Sequence, residues 1–109
     1  MTGTLTVVGL GPGEARYLTP AAQAALDQAS DLIGYGPYLD RIPAQAGQSK
    51  HASDNRVEID RARHALELAA AGKKVAVVSG GDPGVFAMAA AVFEAVEAGE
   101  PGWRELTIT

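Results

Sequence analysis

The chain has 109 residues, 47% of them apolar, which allows one domain with a modest core. It has no cysteine, which excludes a disulfide framework and a thiolate nucleophile or metal ligand. Its net charge of −4 comes without a dense lysine–arginine stripe, which argues against nucleic acid as the main partner. No apolar run approaches the roughly 20 residues that span a bilayer, and the first residues lack the basic segment of a secretory signal. A cytoplasmic protein that is not bound to a membrane is expected.

Leu5-Thr6-Val7-Val8 is apolar on both faces, the pattern of a central strand. It runs into the glycine turn Gly9-Leu10-Gly11-Pro12-Gly13-Glu14. Thr19 and Pro20 suit the N-cap and first position of a helix whose stripe is Ala22, Ala25, Leu26 and Ala29. Asp31 to Gly34 reads as a short second strand, ending in the aromatic turn Tyr35-Gly36-Pro37-Tyr38-Leu39. From Arg41 to Asp54 the chain is polar, and we read it as an exposed loop long enough to be functional.

Ser53 or Asp54 caps the next helix, with Glu58 placed to help. Ile59, Ala62, Leu66 and Ala69 fall at helical spacing, and Gly72 ends the helix as a left-handed cap. Lys73-Lys74 leads into Val75-Ala76-Val77-Val78, the third strand. After the turn Ser79-Gly80-Gly81-Asp82-Pro83-Gly84, the apolar stretch Val85–Val96 reads as a helix. Gly99 to Gly102 is a turn, and Trp103 to Thr109 alternates as a fourth strand. The order β-α-β-loop-α-β-α-β with right-handed crossovers predicts an α/β fold, a parallel sheet with helices on both faces. The last strand is then either a sheet edge or the end of the first part of a longer protein.

Both glycine turns lie at carboxyl ends of strands, where open α/β sheets bind ligands. Glycines let backbone N–H groups approach a ligand closely. Asp82 adds a carboxylate, and the turn has no lysine, a combination suited to a ligand with a hydroxyl or ammonium group rather than a triphosphate. The plainer reading is a tight turn whose Asp82 caps the next helix. The first turn departs from the dinucleotide fingerprint: Glu14 takes the third glycine's place, Pro12 sits where the helix should start, and Gly34-Tyr35 replaces the ribose-binding acid. Gly72-Lys73 is not a phosphate-binding loop, because Lys74 replaces the hydroxyl residue and a strand follows. Two histidines without cysteines make a poor metal site. His64 lies mid-helix among charged residues and reads as exposed.

Three stretches in order resemble the tetrapyrrole (corrin/porphyrin) methylase family: Val8-Gly9-Leu10-Gly11-Pro12-Gly13 with Leu18-Thr19, Asp31-Leu32-Ile33-Gly34-Tyr35, and Ser79-Gly80-Gly81-Asp82-Pro83. The segments Gly34–Leu39, Ser53–Ala62 and Gly84–Ala89 are most similar to the branch that methylates C17 of a precorrin and contracts the macrocycle on the route to cobalamin. Glu14 departs from the family's more usual Asp, with the carboxylate retained.

The resemblance implies an S-adenosyl-L-methionine-dependent C-methyltransferase of two α/β domains, usually dimeric, with the donor between the domains. Residues 1–109 resemble its N-terminal domain, so the fragment alone is expected to be inactive. Pro12, Gly80, Gly81 and Asp82 are the implied donor-binding residues; Val85 and Phe86 read as core.

The implied substrate, a precorrin tetrapyrrole, is flat and fringed with carboxylates. Tyr35 and Tyr38 can supply an apolar surface or simply pack a strand end. Arg56, Lys50 and His51 can supply cations or be solvated loop charges. No nucleophile–base pair is visible, and methyl transfer from a sulfonium depends mainly on positioning. Asp54, Glu58 and Asp60 are candidate acid–base groups for ring contraction. Two other functions compete: a stand-alone nucleotide-binding or regulatory module that uses the same turns, and an NAD-linked enzyme, which Glu14 and Gly34-Tyr35 disfavour.

Overall fold

A computed structural model describes residues 3–10, 20–43, 45–53, 58–80, 82–99 and 107–108; for residues 53, 58, 82–86, 107 and 108 it describes the backbone alone. The strands are β1 (Thr4–Gly9), β2 (Asp31–Tyr35), β3 (Ser49–Ser53), β4 (Lys74–Ser79) and β5 (Thr107–Ile108). The helices are α1 (Pro20–Gln28), α2 (Gly36–Leu39), α3 (Glu58–Ala70) and α4 (Asp82–Ala98). The sheet order is β3-β2-β4-β1-β5, and every pair is parallel. The expected parallel α/β architecture is therefore present.

Alternate residues of each strand feed opposite faces. Leu5, Ile33, Val75 and Val77 join Ala62, Leu66 and Ala69 of α3 and Met88, Val92 and Ala95 of α4 in one buried cluster. Val8, Leu32, Ala76 and Val78 join Leu26 and Ala29 of α1, with Leu39 and Ile42, in the other. The strand order explains this division. Helix α1 carries the chain from β1 past β4 to β2, whereas α4 carries it from β4 past β1 to β5. Crossovers of one hand in opposite directions put the helices on opposite faces.

Helix α3 ends where Gly72 adopts φ 98°. The Gly72 N–H donates to Ala69 O at 3.0 Å and the Lys73 N–H to Leu68 O at 3.1 Å. These two bonds satisfy carbonyls that the helix leaves open. Of the expected caps, Thr19 and Asp54 lie outside the described residues, and Ser53 is instead the last residue of β3, paired with Tyr35, ahead of α3, which starts at Glu58. Helix α4 starts at Asp82, ahead of the expected Val85. A proline in a helix's first turn removes no helical hydrogen bond, so Pro83 does not delay the helix. The expected aromatic turn closes as one turn of helix, α2, with Pro37 near its start and Tyr35 as the extended N-cap.

The stretch Arg41–Asp54 departs from the expectation of an exposed functional loop. It contains β3, an edge strand paired along β2 from Asp31↔Ser49 to Tyr35↔Ser53. Ser-Lys-His-Ala-Ser has no apolar alternation, and an edge strand needs none; polar residues protect such an edge. Gln48, just before it, and Lys50, within it, act as braces. Gln48 Nε2 donates to Leu26 O at 2.7 Å and Ala29 O at 2.9 Å, at the end of α1. Lys50 Nζ donates to Leu39 O at 3.1 Å and Ile42 O at 2.6 Å. Lys50 is exposed, yet its ammonium is held by these two carbonyls and is not a free cation for a carboxylate.

His51 is likewise engaged, donating from Nε2 to Asp31 Oδ2 at 2.8 Å, while Ser30 Oγ donates to Asp31 Oδ1 at 2.8 Å. His64, exposed on α3 as expected, meets His51 edge-on with ring centroids 5.1 Å apart. Burial pushes the Asp31 carboxyl up, but hydrogen bonds from His51 and Ser30 and the charges of His51 and Lys73 outweigh it and hold Asp31 below its ordinary value. A carboxyl with a lowered folded pKa adds stability above its unfolded pKa, near 4, and loses it as pH falls through the folded value. Asp31→Asn should therefore flatten the fall in stability below about pH 4, measured by urea unfolding at stepped pH. An unchanged acid slope would show that Asp31 contributes nothing to it.

Candidate functional site

The carboxyl ends of β1 and β4 lie side by side, with Gly9 opposite Ser79, and the Leu10 N–H donates to Ser79 O at 2.9 Å. The helix after β1 packs on one face and the helix after β4 on the other. This is a topological switch point, the crevice where open α/β sheets take ligands. The two glycine turns identified in the sequence both depart from it.

At the β4 side, Gly80 separates the strand from α4. A Cβ on Gly80 would lie 2.7 Å from Tyr38 Oη and 2.8 Å from its Cζ, so the Tyr38 ring occupies the place of a side chain there. Tyr38 is half-buried against the α1-side cluster, and Tyr35 meets it edge-on, centroids 5.4 Å apart and planes at 83°. The first turn of α4 brings backbone N–H groups without helical partners, and the positive end of the helix dipole, to the same turn.

Of the candidate site residues, the structure thus brings Gly80, Tyr38 and Tyr35 together. Asp82 is the first residue of α4, described by its backbone alone. Pro12, Gly81 and Arg56 lie outside the described residues. Of the acid–base candidates, Asp54 lies outside them, Glu58 is described by its backbone alone, and Asp60 is exposed on α3. Among the described residues no three His, Asp or Glu side chains cluster closely enough to hold a metal ion. A groove also follows the flank of α1 along β1, reaching Gln28 and Lys74 at the far end of the sheet. Its walls are mainly alanine and valine, with Thr4, Thr6, Gln28 and Lys74 among them.

One polar residue at the switch point was not singled out by sequence reasoning. Ser79 is 8% exposed, and its Oγ is buried without a hydrogen-bond partner among the described residues. The available signal was a hydroxyl closing an otherwise apolar strand, Val75-Ala76-Val77-Val78.

Comparison with known proteins decides the family. Residues 4–104 match the model of the Tetrapyrrole (Corrin/Porphyrin) Methylases. The chain belongs to this family. It is 58% identical over 111 residues to a precorrin-3B C(17)-methyltransferase of a Sinorhizobium species, covering 100% of this chain and 44% of that protein. It is 57% identical over 97 residues to the cobalamin biosynthesis protein CobIJ of Mycobacterium tuberculosis, covering 89% of this chain and 19% of that one. The crystal structure of the methyltransferase CobJ matches with a TM-score of 0.90 at 55% identity, over 98% of this chain and 44% of CobJ.

The chain therefore spans less than half the length of these relatives. Membership in the tetrapyrrole methylase family agrees with the resemblance carried by the glycine turns. It does not favour the NAD-linked reading or the stand-alone module.

Proposed function

We propose that this chain is the N-terminal domain of a two-domain, S-adenosyl-L-methionine-dependent C-methyltransferase of corrin synthesis. The proposed reaction is methylation of precorrin-3B at C17 with ring contraction, in a homodimeric enzyme. One observation carries the reading: in a tetrapyrrole methylase, the two glycine turns flank a single switch point, Gly9 beside Ser79. The residues there suit the donor. Gly80 has only backbone, with the Tyr38 ring on its side-chain side; the first turn of α4 presents N–H groups, and Ser79 holds a hydroxyl unmet among the described residues. When bound, S-adenosyl-L-methionine supplies an electrophilic methyl group on a sulfonium.

In this reading Gly80 and Gly81 accept the donor against their backbone, with Pro12 on the opposite turn. The Asp82 carboxylate accepts hydrogen bonds from an ammonium group or ribose hydroxyls and suits a cationic donor. Tyr35 and Tyr38 offer a flat apolar surface toward the macrocycle, and Arg56 a charge for its carboxylates. Positioning of donor and acceptor carbon in line accounts for most of the rate.

In the full-length gene product, Asp82→Ala should weaken S-adenosylhomocysteine binding about tenfold or more, as expected for losing a hydrogen bond to a charged group. Turnover of precorrin-3B should fall with it. Calorimetric titration checks the first effect and product analysis the second. Unchanged affinity would remove Asp82 from the donor site. A wild-type protein that binds S-adenosylhomocysteine but leaves precorrin-3B unmethylated would overturn the substrate.

A further inference from the structure

Ser79 is in an unusual position for a hydroxyl. It closes β4, the middle strand of the sheet, with its Oγ shielded from water and unpartnered among the described residues. Buried hydroxyls nearly always have a partner, and one without a partner destabilises the fold. An alanine or valine here would continue the apolar strand without that cost.

The surroundings show from which side a partner must come. Strand alternation puts Ser79 on the same face as Val75 and Val77, the face covered by α3 and α4. The residue one step below on that face is Val77, which has no polar side-chain atom. Gly9 lies level on β1 and has no side chain. On β2, the register from Asp31↔Val75 to Gly34↔Val78 brings Tyr35 level with Ser79. Of the directions within the sheet, the one that remains leads past the end of the strand, toward Gly80 and the start of α4.

We infer that Ser79 is a further binding residue of the donor site, its hydroxyl meeting a polar group of bound S-adenosyl-L-methionine. The inference rests on the methyltransferase reading above. The hydroxyl is shielded, so contact requires the start of the turn to yield slightly. Gly80, which has no side chain of its own, is the described residue best able to do so. The Tyr38 ring against Gly80 fixes the resting position from which the turn yields.

The test separates a ligand contact from a structural hydrogen bond by the sign of a stability change. In the full-length gene product, S-adenosylhomocysteine is titrated calorimetrically into wild type, Ser79→Ala and Ser79→Cys, and thermal unfolding is followed without ligand. Affinity should fall about 5- to 10-fold in Ser79→Ala, the worth of one neutral hydrogen bond. Its ligand-free Tm should stay level or rise, because an unmet buried group has been removed. Ser79→Cys keeps the shape with a weaker donor and should also bind less tightly, which preserves the comparison if the alanine variant folds poorly. Wild-type affinity in both variants would overturn the role of Ser79 while leaving the donor reading intact. A ligand-free Tm several degrees lower with unchanged affinity would instead reveal a structural partner. Failure of the wild type to bind S-adenosylhomocysteine would overturn the donor reading itself, and this inference with it.

Discussion

Gly34→Val should destabilise the chain by about 3 kcal/mol, at the upper end of what overpacking a core costs. Gly34 is buried in β2 against β4. A Cβ there would sit 2.9 Å from Val78 O and 3.3 Å from Val78 Cβ, with Leu39 Cδ2 at 3.6 Å. The nearest atom is backbone, and it belongs to the middle strand of the sheet, paired on both sides. It cannot swing aside as the end of a side chain can. Val78 is itself 1% exposed in the α1-side cluster.

Valine's preference for strands spans at most about 1 kcal/mol and does not offset the clash. Alanine, with the Cβ alone, should cost about 1–2 kcal/mol. Gly36 is the internal control, since among the described residues its Cβ would meet only Ala52 Cβ at 3.9 Å. Gly36→Ala should change stability by less than about 0.5 kcal/mol, the ordinary range for a substitution away from such features. Urea unfolding reads all three as shifts of midpoint at constant slope. A Gly34→Val protein as stable as wild type would mean that β2 and β4 do not approach as closely as described.

The contrast between these glycines shows which parts of the fold a sequence displays. The apolar runs of β1, β2 and β4 and the stripe of α3 are visible because burial on both strand faces, or along one helix face, leaves a local pattern. Gly72 is visible because a helix end with glycine has a local cause. β3 is not, because an edge strand is stabilised by β2 and carries no apolar signature of its own. Lys50 looks like a free charge in a loop, yet it closes the end of α2 with two carbonyl contacts. Which carbonyls lie within its reach is decided only when β3 pairs with β2.

The same distinction applies at the site. Each glycine turn can be read from its own residues, but their meeting cannot. Gly9 faces Ser79 because β4 inserts between β1 and β2, and that order belongs to the whole sheet. Ser79 was passed over because a serine before two glycines reads as part of a turn. Its unmet hydroxyl becomes visible only when the packing around it is known.

The contact between Tyr38 and Gly80 joins two turns far apart in sequence, and it leads to the largest expected effect on binding. Gly80→Ala in the full-length gene product should weaken S-adenosylhomocysteine binding by as much as about 100-fold, the worth of about two backbone hydrogen bonds to the donor. The added methyl would fall on the Tyr38 ring, 2.7 Å from Oη and 2.8 Å from Cζ. Either the ring or the turn must then move. The ring is held by the edge of Tyr35 and by the α1-side cluster, whereas the turn lies at the open end of the sheet. The turn should therefore give way, displacing the backbone proposed to receive the donor.

The cause can be isolated by a double-mutant cycle. In a Tyr38→Ala background, Gly80→Ala should reduce affinity less than about threefold, because nothing remains for the methyl to strike; the two substitutions would then be coupled by about 2 kcal/mol. Tyr38→Phe should rescue little, because Cζ stays in place when the hydroxyl is removed. An equal loss from Gly80→Ala with and without the Tyr38 ring would show that the methyl obstructs the donor directly. Tyr38 would then have no part in setting the turn, and its role would be confined to the apolar surface beside it.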